Sequence, residues 1–260
     1  MTTRKWGMFL ALLGVILFGK AGVAEEKGVE TDETILADIA FAKANFPDES
    51  ERWPSTMNGE YRQTVLDYTQ SQMAKIPQSA EPQFFIFVDR NFDRQNIMVG
   101  FWNGVGKVIE IGWSKVSTGS LKFGHYLTPV GTFPIVRLGY RAKGTKNAKG
   151  WMGLGGKDSR IWSFGEQETT GWKGKWMRIT MLMHATDPTY GEPRLGRPDS
   201  KGCIRISAKM NAFLDIYGIL DQQVMGKESP ERQRRLLRKD RQPVANPGLY
   251  MIVGDFPPIK

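Results

Sequence analysis

The sequence predicts an α+β protein whose core is mostly β, with flanking helices and a small helical segment at its N-terminal end. Three observations carry this reading. Apolar residues recur at helical spacing in two runs before residue 77. From residue 83 the pattern changes to short runs rich in β-branched and aromatic residues, separated by Asp, Asn and Gly. A further helical stripe and a closing β run follow toward the C-terminus. The 260 residues are 40% hydrophobic, 24% charged and 11% aromatic, which suits a sizeable core and excludes both a disordered chain and a polytopic membrane protein.

In chain order, Arg4 and Lys5 precede an apolar run from Trp6 to Gly19, too short to span a bilayer, followed by Gly22-Val23-Ala24 and the acidic pair Glu25-Glu26. This is the layout of a signal peptide over 1–24, cut after Ala24, and it implies an exported, periplasmic protein. The alternative is an uncleaved N-terminus that anchors the chain in the membrane. Residues 25–82 form the helical segment. Ile35, Leu36, Ile39, Ala40 and Phe41 predict a helix over 33–44 with Thr31 or Asp32 as cap. Tyr61, Val65, Leu66, Tyr68 and Met73 predict a second over 58–76, ended by Pro77.

A β-domain is expected over 83–254, with 255–260 as a tail. Its first strands are 84–88, 96–102 and 107–114. Between residues 137 and 176 stand nine glycines and four of the eight tryptophans, which predicts a loop-rich insertion. Tryptophan faces wall off pockets and stack on sugar rings, so the insertion is read either as a lid over a site or as satellite packing. An apolar strand over 176–183 delivers His184. Met210, Phe213, Leu214 and Tyr217 form the buried stripe of a helix over 207–217. Ser229-Pro230-Glu231 opens another helix that feeds a basic run to Arg241, a solvated face or a contact for anionic envelope material. Residues 248–254 close the domain as a strand.

The formal net charge of +9 favours polyanions. For an exported chain these are envelope polymers or anionic lipids, and no nucleic-acid-binding motif is present, although plain solubility accounts for the charge equally well. Cys203 is the single cysteine, which excludes an internal disulfide, and His125 and His184 are the two histidines, too few for a multi-histidine metal centre. No metal or cofactor is expected. An exported lone thiol is either buried and inert or kept as a working nucleophile, and a nucleophile needs a base or positive charge to generate thiolate. His184 lies nineteen positions before Cys203 at the end of a strand, whereas His125 sits in a loop, so His184 is the expected base. Around the thiol, Ser200-Lys201-Gly202-Cys203-Ile204-Arg205-Ile206 offers a glycine for close backbone approach, amides of Gly202 and Cys203 for an oxyanion, and Arg205 as an anion clamp.

These residues resemble the YkuD-type L,D-transpeptidase catalytic domain, whose motif is an upstream histidine followed by Ser/Thr-His-Gly-Cys and then an apolar residue, Arg and another apolar residue. Val116-Ser117-Thr118-Gly119 and Thr128-Pro129-Val130-Gly131-Thr132-Phe133 are similar to the family's STG and TPxGTF hairpin, and 213–217 to its post-cysteine helix. Two positions depart from the pattern: Lys201 stands where the family has histidine, and Ala185 where a small hydroxylated residue often follows the first histidine. The resemblance implies a YkuD-like β-sandwich or mixed sheet and a cysteine acyltransferase acting on peptidoglycan stem peptides. Cys203 would attack the carbonyl of the third stem residue and release D-alanine. An amine would then resolve the acyl-enzyme, giving a 3-3 cross-link or attachment of an envelope protein. Cys203 and His184 would be catalytic, with Gly202, Arg205, Ser200 and Lys201 on the substrate or the oxyanion. L,D-carboxypeptidase or peptidoglycan–protein hydrolase activity, and a non-catalytic wall-binding protein, are the alternatives. A papain-like order, with cysteine first and histidine late, is the reverse of this one.

Overall fold

The computed structural model describes residues 26–47, 57–77, 80–224, 231 and 235–257. The expected signal peptide and most of the helix expected from Ser229 lie outside them. Among the described residues, three helices and nine strands make an α+β fold with a mostly β core.

The first sheet is built from β1 (Gln83–Asp89), β2 (Asn96–Trp102) and β3 (Val108–Lys115), an antiparallel meander. It is extended on the other side by β9 (Tyr250–Gly254), parallel to β1, and by β4 (Gly131–Pro134), antiparallel to β9. The second sheet holds β5 (Arg137–Arg141), β6 (Arg160–Thr170) and β7 (Trp176–Ala185) in antiparallel order, and then β8 (Ile204–Ile206) parallel to β7. The two paired segments expected as a hairpin do not pair with each other. β4 joins β9, while Ser117 and Gly119 bridge to Arg205 and Ser200.

Alternation of side chains sorts the core. Phe84, Ile86 and Val88 of β1 meet Trp162, Phe164, Met181, Met183, Ile204 and Ile206 between the two sheets. Phe85 and Phe87 point the other way, to Trp102 and Trp113 and to Tyr61, Val65 and Met73 of a helix, α2 (Gly59–Met73). The first sheet is thus covered on both faces, which is why 84–88 is an unbroken apolar run rather than an alternating one. Asn58 caps α2 by accepting the Tyr61 N–H at 2.8 Å.

The other two helices close the ends of the core. α1 (Glu26–Asn45) begins seven residues before the apolar periodicity does and contributes Ile39 and Ala42 to the inter-sheet cluster. The Asp38 carboxylate accepts the Ala245 and Asn246 backbone N–H groups at 3.0 and 2.7 Å, tying α1 to the segment that leads into β9. α3 (Ala208–Ile216), capped by Ser207 on the Met210 N–H at 3.0 Å, buries Met210, Phe213 and Leu214. Beside it, fully buried Arg160 lies between Asp215 and Asp221, with Arg141 on Asp215 and Arg241 on Asp221 at 3.4 Å. The basic run is therefore not wholly a solvated face: Arg235 and Lys239 are exposed, and Arg241 is held.

The segment 137–176 is loop-rich only in part. It contains β5, β6 and the start of β7, joined by 142–159 and 171–175, which hold seven of its nine glycines. The other two, Gly139 and Gly165, sit where the registers of β5–β6 and β6–β7 shift, and a shifted register admits a residue without Cβ.

Asp38→Ala removes the acceptor of two backbone donors and leaves them in a partly buried place. It is expected to lower stability by about 1–3 kcal/mol. Urea denaturation followed by far-UV circular dichroism reads this, and a single transition at a lower midpoint places α1 in the same cooperative unit as the sheets.

Candidate active site

The site is set by the register of two strands. In the parallel β7–β8 pair, Met183 lies beside Ile204, His184 beside Arg205 and Ala185 beside Ile206. Met183, Ile204 and Ile206 belong to the inter-sheet core. Alternation therefore sends His184 and Arg205 to the opposite face, and Cys203, two residues before Arg205, enters on that same face. His184 and Arg205, twenty-one apart in sequence, thus become neighbours across strands about 4.8 Å apart, with Cys203 two residues before that neighbour.

Cys203 ends a turn that is closed from within. Ser200 Oγ accepts the Gly202 N–H at 3.0 Å and donates to the Cys203 carbonyl at 2.5 Å. Gly202 has φ +106°, which strains any residue with a Cβ, and a Cβ there would also displace the tip of Ile179, 2.5 Å away. The turn is also held from outside. The Thr118 carbonyl accepts the Asp199 and Ser200 N–H groups at 3.0 and 2.9 Å, and Ser117 and Arg205 exchange two backbone hydrogen bonds of 2.9 Å. Buried Thr128 donates to the Gly202 carbonyl and accepts the Gly119 N–H, both at 2.9 Å. Gly119 itself lies against the Tyr126 carbonyl too closely for any side chain. The STG and TP segments are thus the cradle of the cysteine turn.

His184 is 2% exposed, and its Nδ1 lies 2.7 Å from the Ala185 carbonyl. A carbonyl only accepts, so Nδ1 carries the proton and Nε2 keeps the lone pair of a base. Burial pushes this imidazole down to about 4, against the pull of the Ala185 carbonyl and with a smaller push from Arg205. Burial pushes the Cys203 thiol up, opposed by a backbone hydrogen bond from Leu182 and by the Arg205 charge. At neutral pH the resting pair is a thiol and a neutral imidazole, not a thiolate and an imidazolium.

The remaining expected site residues divide. Arg205 stands with Cys203 and His184, but its guanidinium is engaged by Asp199 at 3.4 Å rather than free to clamp a substrate. Asp199 is buried and also holds Arg194 at 2.5 Å and Lys122 at 3.1 Å. Ser200 is fully buried and committed to the turn, as is the Gly202 amide, which leaves the Cys203 amide of the two expected oxyanion donors. Lys201 is exposed at the tip of the turn.

Two further contributors reach the site: His125, expected as a loop residue, and loop 142–159, part of the segment read as a lid or as satellite packing. His125 Nδ1 lies 2.8 Å from the Ser200 carbonyl and 2.9 Å from Ser120 Oγ, which brings the second imidazole onto the cysteine turn. Its presence in a chain with only two histidines was the available signal. Loop 142–159 packs over the end of β7: Gly155 lies against Ala185, and the Met152 N–H donates to Asp187 at 2.8 Å. Trp151 stacks on Tyr190 at 5.8 Å, with Arg194 5.1 Å above its ring.

Two measurements follow from this geometry. Thr128→Val keeps the shape but orphans the Gly119 N–H and the Gly202 carbonyl, and should cost about 1–3 kcal/mol in chemical denaturation. His184 gives a pH dependence. The unfolded imidazole takes a proton near 6.5, and the folded one refuses it until about 4. Stability contributed by neutral His184 is therefore complete above pH 6.5 and falls as the pH drops to about 4, by about 3 kcal/mol in all. Asp89, which burial pushes up to about 6, slopes the opposite way. The readout is accordingly the difference between wild type and His184→Gln, measured at pH 7 and pH 4.5, and an equal pH response in both chains would contradict the neutral, buried base.

The L,D-transpeptidase catalytic domain model YkuD matches residues 83–222, a span that includes His184 and Cys203. Among solved structures, the chain is similar to the helical cell shape determining protein Pgp2 from Campylobacter jejuni at 14% identity and a TM-score of 0.30, covering 73% of this chain and 55% of that one. A lysine-to-alanine mutant of the same protein gives 14% identity and a TM-score of 0.30, with 71% and 53% covered. The chain thus spans about half the length of those solved chains. No curated protein sequence matches it. With a family match over more than half of its length, the chain belongs to the YkuD family of L,D-transpeptidase catalytic domains.

Proposed function

We propose that this protein is an exported cysteine acyltransferase that works on peptidoglycan stem peptides as an L,D-transpeptidase. The observation that carries the proposal is the β7–β8 register, which sets a base with a fixed tautomer beside the strand that presents the only thiol of the chain. Family membership supplies the substrate class.

The chemistry starts from the neutral pair. A stem peptide lying over this face excludes water. As Sγ of Cys203 bonds to the carbonyl carbon of the third stem residue, His184 Nε2 takes the thiol proton. The Cys203 amide donates to the oxyanion, and Arg205, held by Asp199, supplies positive charge beside the forming thiolate. Collapse of the tetrahedral intermediate breaks the amide bond, and His184 returns the proton to the departing D-alanine nitrogen. The thioester is then attacked by an amine whose proton passes to His184 and on to the sulfur as the C–S bond breaks. An amine of a second stem gives a 3-3 cross-link, an amine of an envelope protein gives attachment, and water gives a trimmed stem. Loop 142–159, anchored next to His184 through Gly155, is the element placed to wall this face from solvent.

The test is incubation of the chain from residue 25 with disaccharide tetrapeptide, followed by intact-protein and muropeptide mass spectrometry. An acyl adduct on Cys203 with free D-alanine is the expected result. Cross-linked dimers as against tripeptides then separate transfer from hydrolysis. Cys203→Ala should abolish the adduct with the fold intact, and His184→Gln should slow its formation by about 10²–10⁴-fold. A folded, reduced wild-type chain that forms no adduct and releases no D-alanine would overturn the proposal.

A further inference from the structure

Next to the cysteine turn lies a second concavity that the acyl-transfer chemistry does not use. The loop 120–127 is tied to the turn 171–175 by a bridge between Tyr126 and Gly171, by the Leu127 N–H on the Thr170 carbonyl at 3.0 Å, and by Thr169 Oγ1 on the Leu127 carbonyl at 2.6 Å. Between them is a cavity of about 230 Å³ lined by Phe123, His125, Tyr126, Trp172, Lys175 and Met177.

Its walls are unusual for a surface. Phe123 is 80% exposed and Trp172 41%, and their rings meet edge to face at 5.3 Å and 84°, forming an apolar corner rather than a flat patch. Lys173 covers one face of Trp172, its Nζ 4.4 Å from the ring centroid. Polar groups are few and specific. His125 donates from Nδ1 to the Ser200 carbonyl, so its Nε2 remains an acceptor, and Lys175 supplies a donor. The same hydrogen bond makes the cavity wall and the cysteine turn one continuous surface.

We infer that this cavity is a carbohydrate subsite that takes an N-acetylated hexosamine ring of the glycan strand bearing the stem peptide. A pyranose presents C–H bonds on its faces and hydroxyl and acetamide groups around its rim, which matches aromatic walls joined to one acceptor and one donor. The inference rests on the proposed substrate, since only a stem attached to glycan brings a sugar to a wall that is continuous with the cysteine turn. A lipid surface would meet a flat patch, whereas these rings meet in a corner.

The experiment separates this from the catalytic proposal by reading binding without turnover. Peptide-free N-acetylglucosamine tetramer is titrated into the full chain, followed by tryptophan fluorescence and by NMR of the indole N–H groups. Saturable binding is expected in wild type and in Cys203→Ala, and about tenfold weaker binding in Trp172→Ala and Phe123→Ala. Both positions are exposed, and circular dichroism checks that the variants fold. Where the chain turns over, KM for disaccharide tetrapeptide should rise about tenfold in Trp172→Ala relative to KM for the free tetrapeptide. Equal sugar affinity in wild type and both variants, or no saturable binding, overturns the subsite. So does Trp172-dependent partitioning onto phosphatidylglycerol vesicles in place of sugar binding. Sugar binding without any acyl adduct would retain the subsite and reject the transfer reaction.

Discussion

Three residues, Ile204–Ile206, are paired on both of their edges. On one side they run parallel to the end of β7, and on the other Arg205 exchanges two 2.9 Å backbone hydrogen bonds with Ser117. So short a strand has little intrinsic preference for its place. It is fixed because Ile204 and Ile206 fill the inter-sheet core and because its backbone donors and acceptors are met from both neighbours. Everything in the site inherits that constraint: the side of the sheet on which the thiol emerges, the neighbour that the imidazole faces, and the direction in which the turn before β8 must close. A slip of one residue would bury Arg205 in the core and turn Ile204 outward.

The electrostatics of the site are arranged around Asp199 rather than around the thiol. One buried carboxylate receives Arg194, Arg205 and Lys122, and through Arg194 it reaches Trp151 on the loop that covers the end of β7. A buried charge without partners would be costly, so the cluster holds three segments, the loop before β8, the 120s loop and the 187–197 connection, in one arrangement. Arg205 is kept close enough to lower the thiol against the burial that raises it. Lys201, which stands where the family motif has histidine, projects to solvent outside this cluster, while His125, arriving from a different loop, hydrogen-bonds to the turn.

Much of this was legible from local pattern. The unbroken run at 84–88, the strand that delivers His184 and the stripe of α3 are all statements about near neighbours in sequence, and they appear where the periodicity places them. The cysteine motif was legible as a family signature for the same reason. What was not legible depends on distant pairing. His125 meets Ser200 across 75 residues, and nothing local marks it. The STG and TP segments carry the expected residues, yet their strand partners are β8, the cysteine turn and β9, and they meet one another through the Gly119 N–H on Thr128 rather than as a hairpin. Residues 137–176 were legible in part: most of the glycines do mark the connections, but Gly139 and Gly165 at register shifts and Trp162 and Trp176 in strands look the same, in a single sequence, as their counterparts in a loop. Gly202 and the Ser200 hydroxyl were read as parts facing substrate, whereas closing a tight turn consumes both.

In the proposed reaction, a nucleophile that rests protonated with a neutral base has a consequence for its lifetime. Peroxides, disulfides and small alkylating agents react with thiolate, and they meet almost none of it at Cys203 between turnovers. A reagent that merely collides with this protein finds an unreactive sulfur. One that docks as a peptide does, with its carbonyl held over the turn and water driven from around His184, recruits the proton acceptor and meets the reactive form. In the proposed reaction, durability comes from the burial that keeps the thiol protonated and selectivity from the buried imidazole, so a covalent inhibitor of this site would have to bind first and react second.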